Sequence, residues 1–340
     1  MSDTNLFAQQ RANRRRSAVL VAIFVLFFAW IGFGADWILY LNTSGRTDPG
    51  YVHTVPLVGV ALSLLALGVA WFSWRRGARQ VLWASGAWEL VTPSTPEEQQ
   101  LVNVVEEMAI ASGLPRPKIW IVPDDDPNAF ATGTDEKHAH VAVTKGLLTA
   151  LNRDELQAVV AHELAHVRNY DVRLMTLLAA LVGVLALVSD GVMRSLRFGG
   201  RGGRGGRGGK KGGGALLLIL LAVWLISVIL APIVTRLLAM GVSRKREYLA
   251  DATGAQFTRN PGALASALQK IEQSAAPTKA IHRGSAHLCI TDPLGRRLTN
   301  KQGFVADLLA THPPMPVRIA RLKQMAYQFE KTGELPEAGS

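Results

Sequence analysis

The sequence predicts a mainly α-helical membrane protein with a small three-stranded β-sheet, and three observations lead there. Apolar runs at 18–41, 52–74 and 215–235 contain only one charged residue between them, Asp36. Three short segments of strand-like composition lie between residues 117 and 144. A helical pattern over 153–171 carries two histidines four residues apart.

At about 1.5 Å per residue, each of the three runs is long enough to cross a hydrocarbon core. None has the polar stripe of a soluble core helix. A fourth run, 174–189, is 16 residues long and reads as a short span or a helix that dips into the bilayer. The first run exceeds the apolar core of a signal peptide, and no small-residue cleavage site follows it. The single cysteine, Cys289, rules out an intramolecular disulfide framework and a cysteine-built metal site.

An apolar content of 49% and a net charge of +11 leave two classes, nucleic-acid binders and membrane proteins, and the distribution of charge decides. Arg11, Arg14, Arg15 and Arg16 precede the first run, and Arg75, Arg76 and Arg79 follow the second, while the loop between holds only Arg46 and Asp48. The positive-inside rule then places the N-terminus and the segment after residue 75 in the cytoplasm. The stretch FGGRGGRGGRGGKKGGG at 198–214, with Arg194 and Arg197, carries seven positive charges. Removing those seven leaves +4, so the basicity is that of one linker rather than of a binding face. The linker has one aromatic, Phe198, and no stacking platform for nucleic acid. It reads as a solvated connection that touches anionic headgroups. A four-span topology puts it outside, against the charge rule; either the last two runs form a shallow hairpin or the earlier charges dominate. The expected organisation is a basic tail at 1–17, a transmembrane hairpin at 18–74 and a cytoplasmic part at 75–173. A third apolar segment (174–193), the linker (194–214), a fourth apolar segment (215–241) and a second cytoplasmic part (242–340) follow.

Within the first cytoplasmic part, residues 94–112 read as a helix. Ser94 and Glu97 form its capping box around Pro96, and Gly113 stops it. Residues 117–123, 128–133 and 138–144 read as strands, the last two joined by the turn TDEK. His138 and His140 alternate on one strand face and read as exposed hairpin histidines. A short helix at 145–151 precedes the long helix over 153–171, capped by Asn152 or Asp154 and free of Pro and Gly.

That helix contains VVAHELAHVRNYDV, residues 159–172. At about 100° per residue, Leu156, Val160, Leu164 and Val167 form an apolar stripe. His162 and His166 fall on a different face, one turn or roughly 6 Å apart, so both imidazoles reach one ion. Glu163 projects about 60–100° around from them, close enough to hold a water without ligating the ion itself. Two neutral imidazoles and one carboxylate on zinc leave a fourth position for water, whose pKa falls from about 15.7 toward about 7. A neighbouring carboxylate takes the proton and later returns it to a leaving amine. A third ligand must come from another helix. In SRKREYLADATGAQFT, residues 243–258, Glu247 is the natural candidate, and Asp251, one turn on, can accept from a ligand imidazole. Ala250 and Gly254 are small enough for close helix approach.

HELAHVRNYD, SRKREYLADATGA and THPPMPVRIARL together resemble the HtpX-like membrane metalloproteases, the group that includes the CAAX prenyl protease. The resemblance runs from about residue 15 to 328 and implies a gluzincin-type domain built around two ligand-bearing helices. It implies that His162, His166 and Glu247 bind one Zn2+ and that Glu163 is the general base. It further implies that Asn128, Ala129 and Phe130 lie on a strand that pairs with a substrate backbone. His312 matches a histidine near the active site of that group, and Asp171 closes an HExxHxxxxD pattern as a support or a cap. Arg318 matches a family position whose role the sequence does not define.

The expected activity is zinc-dependent endopeptidase action, in protein quality control, on membrane or membrane-proximal proteins. The expected partners are those substrates and the lipid bilayer, not nucleic acid. The expected location is the inner cell membrane, multi-pass, with the site facing the cytoplasm. Arg153, Asp154, Glu155, Arg168 and Asp171 around the histidines argue against an intramembrane protease. A non-proteolytic scaffold binding RNA through the linker and a processing protease for lipid-anchored proteins are the alternatives.

Overall fold

A computed structural model of the chain describes residues 3–44, 53–181, 244–274, 289–290 and 313–335. The apolar runs beyond residue 181, the Gly/Arg/Lys-rich linker and His312 lie outside the described residues. The chain forms two compact units. One comprises Ala18–Trp74 and Leu181–Leu238; the other comprises Met1–Ser17, Arg75–Ala180 and Ala239–Ser340.

The first unit holds most of helix α1 (Asp3–Ser44) and the first part of α2 (Leu57–Ala84). Arg15–Trp37 and Leu57–Ala84 are long and apolar enough to cross a membrane. Trp30, Trp37, Leu64 and Trp71 are exposed, as a lipid-facing surface requires. The lone charge of the first run has a local purpose. The Asp36 carboxylate accepts from the Val58 and Gly59 N–H groups at 3.2 and 2.6 Å and meets His53 Nε2 at 2.6 Å. It thereby satisfies donors that the start of α2 leaves unpaired.

The second unit is built around helix α5. Its other elements are β1 (Trp88–Glu89), α3 (Pro96–Ser112), β2 (Lys118–Val122), β3 (Ala129–Gly133), β4 (Ala139–Thr144) and α4 (Lys145–Ala150). Then come α5 (Arg153–Arg168), α6 (described over 171–181), α7 (Arg244–Thr258), α8 (Pro261–Gln273) and α9 (Met315–Thr332). The sheet order is β1-β2-β4-β3, with β2 and β4 parallel and the other pairs antiparallel.

The sheet therefore has four strands, not three. Strand β1 is two residues long, too short for a period-2 pattern to register. The N-cap of α3 is also shifted by one residue: Thr95 accepts from Glu98 N–H, and Ser94 bonds back to the Glu98 carboxylate. Pro96 sets this register, since proline suits the first helical position and moves the cap to the residue before it. His138 belongs to a 3₁₀ turn over Glu136–His138 and bonds Asp135, rather than sharing a strand face with His140. The long helix ends at Arg168, not at 171, because Tyr170 adopts a left-handed φ of 58° before α6 begins.

Asn152 and Glu155 form a reciprocal capping box at the start of α5, at 2.9 Å in each direction. Glu155 also receives Ser266 Oγ and Lys270 Nζ, both at 2.7 Å, which ties α8 to the same turn. Leu156, Val160, Leu164 and Val167 are all buried, and so is every other residue from Glu155 to Val167 except Gln157. Between Ala158 and Val167 the helix is thus enclosed by α3, α7, α8 and β3, and a polar side chain in that stretch has no solvent to face.

Helix α7 packs directly on α5. A Cβ on Gly254 would lie 3.0 Å from His162 N and 3.1 Å from His162 Cα, both rigid backbone atoms. The missing side chain is what lets the two backbones approach. Gly254→Leu gains about 1 kcal/mol of helix propensity but overpacks a backbone contact, at about 1–3 kcal/mol. The expected result is a lower Tm for the full chain in detergent; an unchanged or higher Tm would contradict the close approach.

Candidate metal centre

Helix periodicity puts His162 and His166 on one side of α5, with ring centroids 4.8 Å apart and planes at 90°. Glu247 enters from the first turn of α7. One nitrogen from each imidazole and one Glu247 oxygen all lie within 4.8 Å of one another, and all three residues are buried. Among the described residues this is the only such grouping of His, Cys, Asp and Glu.

The two rings are oriented alike. His162 Nε2 lies 3.9 Å from Glu247 Oε2, and His166 Nε2 lies 3.6 Å from Glu247 Oε1. Behind them, His162 Nδ1 faces Asp251 Oδ1 at 3.0 Å and His166 Nδ1 faces Asp171 Oδ2 at 3.4 Å. A carboxylate at Nδ1 favours the tautomer with its proton there and leaves the Nε2 lone pair directed at Glu247, as a metal-binding imidazole needs.

Charge fits the same reading. The carboxylates of Glu163, Glu247, Asp171 and Asp251 are all buried here, with two buried guanidinium groups, Arg246 and Arg318. With neutral imidazoles these six side chains sum to −2, which one divalent cation neutralises. Burial alone would push the His166 pKa down, but hydrogen bonding to Asp171 and the charges of Glu247, Asp171 and Glu163 outweigh it and raise it to about 9. The pocket draws positive charge to this ring.

Glu163 lies on the side of α5 toward β3. It is 1% exposed, and the Ala131 backbone N–H donates to its carboxylate. Its Oε1 has no partner among the described residues. Burial holds its carboxyl above the usual range, against the opposing pull of His162 and His166. An unpaired buried carboxylate oxygen is costly unless a ligand or water completes it.

Of the residues named for substrate contact, Asn128 is engaged locally: its Oδ1 accepts from Ala129 N–H, and its own N–H donates to Thr144 Oγ1. The Phe130 ring is buried in the core with Val81, Val122 and Met175. What β3 offers is backbone, at the edge of the sheet, where Ala129 C=O accepts from Ile290 N–H at 2.9 Å.

Nothing in the sequence alone marks Arg318, Ile290, Arg246 or Asn13 as part of this site. Arg318 is fully buried and donates to both Asp251 oxygens, at 2.9 and 2.7 Å, and to Ile290 C=O at 3.0 Å. Its guanidinium also lies 3.5 Å from Glu247 Oε2 and 3.4 Å from His162 Nε2. It holds the Asp251 carboxylate well below the usual range. In sequence it stands beside Arg321, whose guanidinium lies over the Tyr248 ring, and nothing local tells the two arginines apart. His140, half-buried, accepts from Trp120 Nε1 at Nδ1, and desolvation lowers its pKa to about 4.

The profile of peptidase family M48 matches residues 95–326. A protease HtpX homolog of Thermoanaerobacter pseudethanolicus is 38% identical over 326 residues, covering 96% of this chain and 99% of the relative. A protease HtpX homolog of Tropheryma whipplei is 44% identical over 266 residues, covering 78% and 85% respectively. The crystal structure of S. mikatae Ste24p aligns over 94% of this chain and 90% of that one, at a TM-score of 0.40 and 16% identity. Nothing in these likenesses supports a non-proteolytic scaffold. The HtpX relatives and the two long apolar helices mark a membrane protein. The chain belongs to peptidase family M48 and is a metalloendopeptidase of that family.

Proposed function

We propose that the chain is a zinc endopeptidase of membrane and membrane-proximal proteins, acting in protein quality control, with His162, His166 and Glu247 as the zinc ligands. The observation that carries this reading is the pair of imidazoles, each backed by a carboxylate at Nδ1 and turned by Nε2 toward Glu247. Two nitrogens and one carboxylate suit zinc better than calcium or magnesium, which prefer oxygen ligands. Zinc held there would supply a Lewis acid and activate water for attack on a peptide carbonyl.

The chain's own residues do the rest. Glu163, with its unpaired Oε1, is the general base. Burial raises its pKa, the direction that favours taking a proton and returning it to the leaving amine. Asp251 and Asp171 fix the two imidazoles, and Arg318 fixes Asp251. The outer edge of β3, where Ala129 C=O accepts from Ile290 N–H, is where an extended substrate backbone adds as a further strand. His312, which matches a histidine near the active site of the HtpX-like group, is the donor to the oxyanion of the tetrahedral intermediate. The two cytoplasmic parts, the apolar hairpin and an inner-membrane, multi-pass placement with the site toward the cytoplasm complete the reading.

Glu163→Gln keeps the shape and removes the base. The expected outcome is full metal content with kcat lowered about 10²–10⁴-fold; casein cleavage at the normal rate would remove Glu163 from this role. For substrate class, the full chain in lipid nanodiscs should cut a membrane-embedded substrate faster than detergent-solubilised chain does. Equal rates would argue against membrane substrates.

Metal uptake should depend on pH through His166. Its pKa in the metal-free chain, about 9, lies above the ordinary 6.5. The protonated ring therefore contributes stability to the metal-free fold that is fully present below 6.5 and lost as pH rises through about 9. Zinc must displace that proton, so apparent affinity should rise about tenfold per pH unit toward 9. Chelator competition at several pH values reads this, and a flat profile would contradict it.

A further inference from the structure

We propose that Asn13 is a positioning residue of the metal centre: from α1, ahead of the apolar stretch, its amide holds the Asp171 carboxylate against the Nδ1 edge of His166. The inference rests on His166 being a metal ligand. Asn13 is 1% exposed, although Arg11 and Arg15 on the same helix are exposed. Its Nδ2 donates to Asp171 Oδ1 at 2.8 Å and to Asn169 C=O at 3.3 Å. One amide thus bridges the break between α5 and α6, taking the C-cap carbonyl of the first and the opening carboxylate of the second.

The two Asp171 oxygens divide the work. Oδ1 faces Asn13 and Arg246, the latter at 3.5 Å, and Oδ2 faces His166 Nδ1 at 3.4 Å. Rotating the carboxylate to release His166 would break the 2.8 Å bond from Asn13. Asp251 behind His162 is held by two short bonds from Arg318; Asp171 is held by the 2.8 Å bond from Asn13 together with the Arg246 guanidinium at 3.5 Å. Asn13 Oδ1 is buried without a partner among the described residues, so the donor end of the amide is what this position uses. The orientation of the amide follows from its two neighbours, both acceptors. Because α1 continues into the apolar stretch at Arg15–Trp37, the helix that enters the membrane also completes the support of a ligand.

The test uses the full chain in detergent, loaded with Co2+ for its visible spectrum and with Zn2+ for chelator competition. Asn13→Ala should weaken metal binding about tenfold, the lower end for loss of an outer support, shift the Co2+ spectrum and lower kcat with little change in KM. Asn13→Asp, the same shape without the donor, should weaken it further by setting a second carboxylate against Asp171, and it carries the test if Asn13→Ala loses helical signal. Ser17→Ala, one turn on and bonded to Asn13 C=O, should change neither readout. In an Asp171→Asn background, Asn13→Ala should add nothing. Unchanged affinity and spectrum in both Asn13 variants, or additive effects with Asp171→Asn, would overturn the proposal. If His166→Ala loses metal while the Asn13 variants do not, only this inference fails; if His166→Ala keeps its metal, the assignment beneath it fails.

Discussion

The approach of α7 to α5 at Gly254 is the constraint on which the rest depends. The two histidines sit on one helix and can be set by its period alone, but Glu247 comes from a segment some eighty residues later. Only near-contact of the two backbones brings its carboxylate within reach of both imidazoles. A side chain at that crossing would move the glutamate outward, away from both imidazoles, at an overpacking cost of about 1–3 kcal/mol. The glycine therefore matters less for its own conformation than for the distance it permits.

That geometry collects more charge than a protein interior tolerates unaided. Four carboxylates are buried with two guanidinium groups and two imidazoles. Removing any one partner exposes the rest to an uncompensated field. Arg318 and Arg246 offset half of the negative charge from outside the triad, and His166 takes up positive charge in the absence of metal. The same electrostatics that make the site attractive to a divalent ion thus make the metal-free fold sensitive to pH.

Much of this was legible in the sequence because it is local. The His-Glu-x-x-His spacing, the Asn152 cap, the one-turn spacing of Glu247 and Asp251 and the small residues Ala250 and Gly254 all express helix period, and the structure assembles them as that period dictates. The misses were of two kinds. Strand β1, the cap at Thr95 and the break at Tyr170 are features of one or two residues, below the length at which a pattern emerges. Asn13 and Arg318 were hidden for the opposite reason. Each acts more than sixty residues from its partner, and each sits in a basic stretch where charge suggested topology or solvation instead of burial. The helix around the histidines also proved enclosed on all sides, which no stripe analysis anticipates.

The most direct test is the metal content of the purified full chain and of its Glu247→Ala variant, measured by elemental analysis alongside circular dichroism. The account predicts one divalent ion, zinc, per folded chain and its loss from the folded variant. A folded Glu247→Ala chain that keeps its full complement of metal would contradict it.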